Sequence, residues 1–386
     1  MVNWGKCTAV AVALIQMHVV TIAGADVTEY KVGIWYSTTK EGTISMFRPL
    51  FEDYLNRAVD SNLNVRFKVV VVDMEESTLA EDLIDAGELD FLFSNAGRVA
   101  CVEKAFDWIT IATGRNHFLG HDIGAQSTII YSLKTNTNIK SIEDLKSKRI
   151  GLPLIHSPSF SIGKQELESH GVNLYKDSKQ LVFYGSEYAN QLFDVLKENI
   201  DAGIVSGNYL FQNYPDQIPY LRFLNVLSNA SWESEPFPFP TSAPLTPTYT
   251  LACSPAIPYP VKRSVERALA NLSVAMPEAQ AAGMSTFTTA ASLFSTRAAM
   301  ESANLFDAAG RCVSPFGDVR DIMRCPKGTA VDSEEGLAKR CQDNHLSCPA
   351  GFPCYCSVCM ANTYVLVYPG EVVLGISTAL FGMNLA

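Results

Sequence analysis

The pattern that most constrains this chain is an alternation of β-branched runs with segments of helical spacing, sustained from Asp26 to about Phe306. Residues 30–35 (YKVGIW) read as a strand, and residues 65–72 (VRFKVVVV) are long and β-branched enough for a buried one. Between them Met46, Leu50, Tyr54, Leu55 and Ala58 fall at helical spacing. A second helix is predicted over residues 78–86, with Leu79, Leu83 and Ile84 on one face and Gly87 as its stop, and residues 90–93 follow as a short strand. Strand, helix, strand, helix, strand implies a parallel sheet with helices on both faces.

The same logic returns further on. Ser141-Ile-Glu-Asp144 reads as a helix cap with a reciprocal acid. Residues 149–152 form a strand, and Ser157-Pro158 fits an N-cap followed by proline at the first helical position. That helix runs to about His170 and stops at Gly171; a strand (181–184), a helix (188–197) and a strand (202–205) complete the unit. The two halves also match locally. Leu83 to Asp90-Phe91 precedes Ser94-Asn95, and Val195 to Asp201-Ala202 precedes Ser206; in each, a helix and an Asp lead into a strand that ends on small polar residues. Residues 213–247, rich in Pro, Ser and aromatics, read as a loop or crossover. A strand over 248–252 returns to the first unit, and helices over 261–275 and 292–303 close it. Two similar α/β lobes imply a cleft, and ligands of open α/β sheets bind outside the carboxyl ends of the strands.

At this point the residues resemble type 2 periplasmic solute-binding proteins, in their phosphate/phosphonate-binding branch. The run from Ser141 to Gly151 (SIEDLKSKRIG) is similar to that family's strand-entry motif, and Ser157-Pro-Ser-Phe160 with Leu167 and Gly171-Val172 to its serine-containing helix start. Glu41, Phe47-Arg-Pro49, Tyr54-Leu55, Leu89-Asp90-Phe91, Gly185-Ser186 and Asp201-Ala202-Gly203 follow in the expected order over about residues 28–306. The resemblance implies a two-lobed, Venus-flytrap-like α/β solute-binding fold with doubly wound sheets, closing on a ligand without chemistry or cofactor. It implies lobe 1 over residues 26–113 and 248–306 and lobe 2 over 114–247. Departures touch the ligand more than the fold. Ser147 replaces a usual glycine, Pro158 and Ser159 replace two positions of the family's phosphate loop, and Glu187 or Tyr188 stands where a histidine is usual.

The expected ligand is therefore a small anion of phosphate or phosphonate type. A helix start at Ser157 and Ser159 offers hydroxyls and the positive end of the helix dipole, although an ordinary cap would need only Ser157. Ser94, Asn95 and Ser206 are expected to add donors from both lobes, with turn chemistry as their ordinary alternative. Tyr36, Phe160 and Tyr188 are expected to wall the cleft, with Ser37 and Thr38 in the same loop as Tyr36, whereas Trp35 reads as core. Lys40, Arg115, His117 and His156 could neutralise an anion but read singly as surface residues.

Cysteine placement divides the rest. Residues 1–25 read as a secretory signal, with Lys6, an apolar stretch over 9–22 and Ala23-Gly24-Ala25 as the cleavage pattern. Cys312, Cys325, Cys341, Cys348, Cys354, Cys356 and Cys359 fall in a small cysteine-rich module over residues 307–360 that disulfides are expected to hold. Seven is odd, so one is free, pairs with Cys101 or Cys253, or bridges two chains. The apolar segment over 361–386 reads as a packed or membrane-proximal end, a removable anchor signal or the start of a span. Asn229 and Asn271 head glycosylation sequons.

The net charge of −10 excludes a general nucleic-acid binder but not a small anion held by backbone and hydroxyl donors. The expected function is an extracellular solute-binding or sensor domain, with a membrane protein or tether as its further partner. Two alternatives are an enzyme using Cys101 or Cys253 as nucleophile, and a structural or adhesion protein whose lobes no longer bind.

Overall fold

The computed structural model describes residues 27–36, 40–73, 79–185, 188–313, 356–360 and 363–367. The first lobe contains β1 (Thr28–Tyr36), α1 (Lys40–Arg48), a π-helical turn (Pro49–Tyr54), α2 (Leu55–Ala58), β2 (Val65–Asp73), α3 (Leu79–Asp85), β3 (Phe91–Asn95), α4 (Ala96–Phe106), β4 (Ile109–Phe118) and β5 (His121–Ile123). The short strand β6 (Ala125–Gln126) leads out of it. The second lobe holds β7 (Thr128–Leu133), β8 (Arg149–Leu152), α5 (Pro158–Ser169), α6 (Leu174–Asp177), β9 (Gln180–Phe183), α7 (Tyr188–Leu196), β10 (Ala202–Ser206), α8 (Gly207–Asn213), β11 (Leu221–Phe223) and the hairpin of β12 (Ser231–Trp232) and β13 (Glu235–Pro236). β14 (Thr246–Pro247) leads back to β15 (Tyr249–Cys253), α9 (Tyr259–Ala270), α10 (Pro277–Ala281), β16 (Met284–Thr289) and α11 (Phe294–Ser302). Last come β17 (Cys356–Met360) and β18 (Thr363–Val367), a hairpin whose β18 lies antiparallel to β9.

Sheet 1 runs β16-β4-β15-β3-β1-β2 and sheet 2 runs β11-β7-β10-β8-β9-β18-β17. The strands β2-β1-β3-β15-β4 and β9-β8-β10-β7-β11 follow one order, with β15 and β7 as the antiparallel members. The local sequence match between the halves has a physical basis in one repeated hydrogen bond. Asp90 accepts the Lys31 backbone N–H at 2.8 Å, and Asp201 accepts that of Arg149 at 2.7 Å. Each aspartate thus pins the strand that follows it to its parallel neighbour. Burial pushes the Asp90 carboxyl pKa up; at Asp201 burial pushes the same way, but the hydrogen bonds and charge of Arg149 overcome it and hold the pKa low.

The lobes meet where β6 pairs antiparallel with β14, Thr246 opposite Gln126 and Pro247 opposite Ala125. The 113/114 boundary expected from sequence therefore falls inside β4 and is corrected. β4 stays hydrogen-bonded to β16 as far as Asn116, then leans on the second lobe, with Phe118 packed in its core against Phe239 at 4.8 Å. Another apolar core continues from one lobe to the other, through Leu92 and Val99 to Ile150, Leu152 and Ile204. Helix α11 lies against both α4 and α5 there. Lys104 of α4 pairs with Glu301, and Lys164 of α5 donates to the Ser302 carbonyl at 3.4 Å. Ser147 takes a left-handed φ of 58°, which explains why a glycine suits that position. Among the described residues no helix is long and apolar enough to cross a membrane.

Candidate functional site

The carboxyl ends of β8, β9 and β10 line one edge of sheet 2, and α5, α7 and α8 start from that edge. On sheet 1 the corresponding rim holds the ends of β1 and β3, with Tyr249 of antiparallel β15 paired beside Asn95. The two rims touch. A Cβ on Gly97, in the first turn of α4, would lie 2.4 Å from the His156 carbonyl oxygen just before α5. No real side chain tolerates that approach, so the glycine lets the two helix starts come together.

At the start of α5, Ser157 is the N-cap, and its Oγ accepts the Ser159 N–H at 3.2 Å. The Phe160 N–H closes onto the Ser157 carbonyl at 3.0 Å, and Pro158 has no N–H to give. This helix end therefore offers its dipole and its hydroxyls rather than a fan of open backbone donors. Ser159 is fully buried, and its Oγ accepts Gln126 Nε2–H from β6 at 2.9 Å. Thr246 stands directly opposite Gln126 and so projects on the same face. Its hydroxyl is fully buried and has no hydrogen-bond partner, a state that a bound polar group would relieve.

Two tyrosines meet above this floor from opposite lobes. Tyr188 opens α7 beside Ser157, and its ring lies 4.8 Å from that of Tyr209. Tyr249 stacks on Phe93 at 5.5 Å. Burial, then the neighbouring Tyr249, pushes the Tyr188 pKa up to about 12 against the pull of Ser157, so its hydroxyl stays protonated as a donor.

The other expected residues divide by placement. Asn95 caps α4, its Oδ1 accepting the Arg98 N–H at 3.0 Å. Ser94 is fully buried beside Thr250, and neither hydroxyl has a partner. Ser206 is the N-cap of α8 but makes no side-chain cap bond. Phe160 is a correction: it does not wall the cleft but lies fully buried in the core, 6.1 Å from Phe183. As the third residue after the N-cap it faces sheet 2, where the apolar core claims it. Trp35 is core as expected, under the Arg98 guanidinium at 4.0 Å. Tyr36 ends β1, while Ser37 and Thr38 lie outside the described residues.

Of the four candidates for neutralising an anion, two have acidic partners. Arg115 pairs with Glu233 at 2.6 Å, and His117 with Asp122 at 2.9 Å. His156 is buried, its pKa pushed down to about 3 first by burial and then by Arg98, so it is neutral and sits 3.3 Å from the Val313 carbonyl. Lys40 is exposed at the start of α1.

Both proposed nucleophiles are removed. Cys101 is in a disulfide with Cys312, which resolves one of the pairings left open by the odd cysteine count. Cys253 is buried in sheet 1, and burial pushes its thiol up to about 11, so it stays protonated. Cys356 and Cys359 lie on β17; Cys325, Cys341, Cys348 and Cys354, like residues 1–25, fall outside the described residues. Asn229 and Asn271 are exposed.

Sequence reading missed Gln126, Thr246 and Tyr249. The first two sit on two-residue strands, too short for a periodic signal, and only the β6–β14 pairing brings them to α5.

Solved structures share this fold. XAC2383 from Xanthomonas citri, bound to ATP, superposes with a TM-score of 0.56 at 14% identity, covering 71% of this chain and 98% of its own. PhnD1 from Prochlorococcus marinus (MIT 9301), in complex with methylphosphonate, superposes at 0.52 with 15% identity, covering 72% and 99%. No curated protein sequence matches this chain. The sequence profile of the family described as "ABC transporter, phosphonate, periplasmic substrate-binding protein" matches residues 34–292, most of both lobes. The chain belongs to that family of phosphonate-type periplasmic substrate-binding proteins.

Proposed function

We propose that this protein captures a small tetrahedral oxyanion of the phosphonate, phosphate or sulfonate class by closing its lobes over the start of α5. The observation that carries this reading is the start of the twelve-residue helix α5 at Ser157 and Ser159, reached by Gln126 from β6, with the buried, unpartnered Thr246 hydroxyl on the strand paired with it. The dipole places roughly half a positive charge there. Hydroxyls from Ser157, Ser159, Thr246 and Tyr188 donate to the anion, and Ser159 N–H turns to it when Ser157 leaves its cap. Methylphosphonate in PhnD1 and ATP in XAC2383 both present phosphoryl oxygens, which supports the ligand class. Residues 1–25 export the chain, and the 307–360 segment passes lobe closure to a membrane partner.

A thermal-shift panel of methylphosphonate, phosphate, methanesulfonate and ATP tests the reading. A ligand at 100 times its Kd adds about 2.7 kcal/mol of stability. Ser157→Ala and Ser159→Ala are each expected to raise Kd about tenfold, the worth of one hydrogen bond to an anion. A panel that leaves the melting temperature unmoved refutes the reading and favours a structural role.

A further inference from the structure

The groups that would touch the anion are not the whole of the device. Gln126 donates to Ser159 Oγ, and a hydroxyl that accepts at its oxygen keeps its own proton for another acceptor. The backbone on both sides of Gln126 is locked to α8. Asn208 Nδ2–H donates to the Ala125 carbonyl at 3.1 Å, and Asn208 Oδ1 accepts the Ser127 N–H at 3.1 Å. The Gly207 N–H donates to the Ser127 carbonyl at 3.0 Å. The other face of this crossing is β14, which carries Thr246.

We propose that Gln126 is a positioning residue: from the strand on which the lobes cross, it orients the Ser159 hydroxyl as a donor toward the anion. The inference rests on the oxyanion reading above. It makes donor orientation at α5 depend on the geometry of the crossing, so a bend at β6 that pulls the amide away disarms the site. An amide fits the task because it can donate without adding charge. A carboxylate in its place would accept the Ser159 proton and set a negative charge beside the ligand.

The test is calorimetric titration with methylphosphonate and with methanesulfonate, using the wild type, Gln126→Met, Gln126→Glu, Ser159→Ala and the Gln126→Met/Ser159→Ala double variant. Circular dichroism checks that each is folded. Gln126→Met is expected to weaken binding about tenfold, as the loss of one donor should. Gln126→Glu is expected to weaken it at least about 100-fold at neutral pH through like-charge juxtaposition. Binding to Gln126→Glu should recover as the pH falls through the carboxyl titration, because the protonated acid donates as the amide does; a merely structural role gives no such profile. The double variant should bind no worse than Ser159→Ala alone, since Gln126 acts only through that hydroxyl. Gln126 variants that bind like the wild type, while Ser159→Ala weakens, overturn this inference and leave the oxyanion reading standing. Additive losses in the double variant, or no acid recovery in Gln126→Glu, also overturn it. A wild type that binds neither probe removes both.

Discussion

Cys312→Ser is expected to lower the unfolding free energy by about 2–5 kcal/mol, the usual loss when a native disulfide is removed. Its partner Cys101 lies 211 residues away in sequence, with the two Cα atoms 5.4 Å apart. Cross-linking over so long a loop removes much of the entropy of the unfolded chain, about 5 kcal/mol in the simplest polymer account. Both residues are buried, so the native state gives little back through hydration of the new hydroxyl. The disulfide also anchors a short return of the chain: Phe306 bridges to Cys312, and the Val313 N–H donates to the Leu305 carbonyl at 2.9 Å. Urea denaturation of the wild type and Cys312→Ser measures the loss. A difference under about 0.5 kcal/mol, the range of ordinary surface changes, would contradict the expectation.

Arg98→Met is expected to cost about 3–5 kcal/mol, because it strands a buried carboxylate. Arg98 is 1% exposed and Glu81 is 2% exposed, with Nη1 3.3 Å from Oε1. Burial pulls the arginine pKa down, and the charge and hydrogen bond of Glu81 pull against it. The guanidinium also covers the Trp35 ring, packing that methionine only partly replaces. Replacing both partners, Arg98→Met with Glu81→Leu, should recover most of the loss, since an apolar pair of similar volume removes the stranded charge. A double-mutant cycle by urea denaturation separates the coupling from the single effects. Single variants that each lose under 1 kcal/mol would mean that water reaches the pair.

Much of the fold was legible because the information was local. Ser157-Pro158 marks the start of α5 by chemistry confined to two residues, and β8 spans Arg149–Leu152 as its β pattern predicts. Helix α4 escaped for the opposite reason. Every residue from Ala96 to Val102 is buried, including Arg98, so the helix shows no polar face to reveal its period. The candidate site was half legible. Ser157, Ser159 and Tyr188 follow from a helix start at a strand end, whereas Gln126 and Thr246 matter only once two short strands pair. Phe160 shows the limit of proximity in sequence: one residue after Ser159, the helix has already turned its side chain into the core.

The Cys101–Cys312 link has a mechanical meaning. Both crossings between lobes, β6 and β14, lie within the covalent ring it closes, as do β7 to β13 of the second lobe, whereas β17 and β18 of sheet 2 lie beyond it. The chain beyond Cys312 thus grips both lobes, α4 through the disulfide and β9 through its pairing with β18, so a pull on it is shared between them.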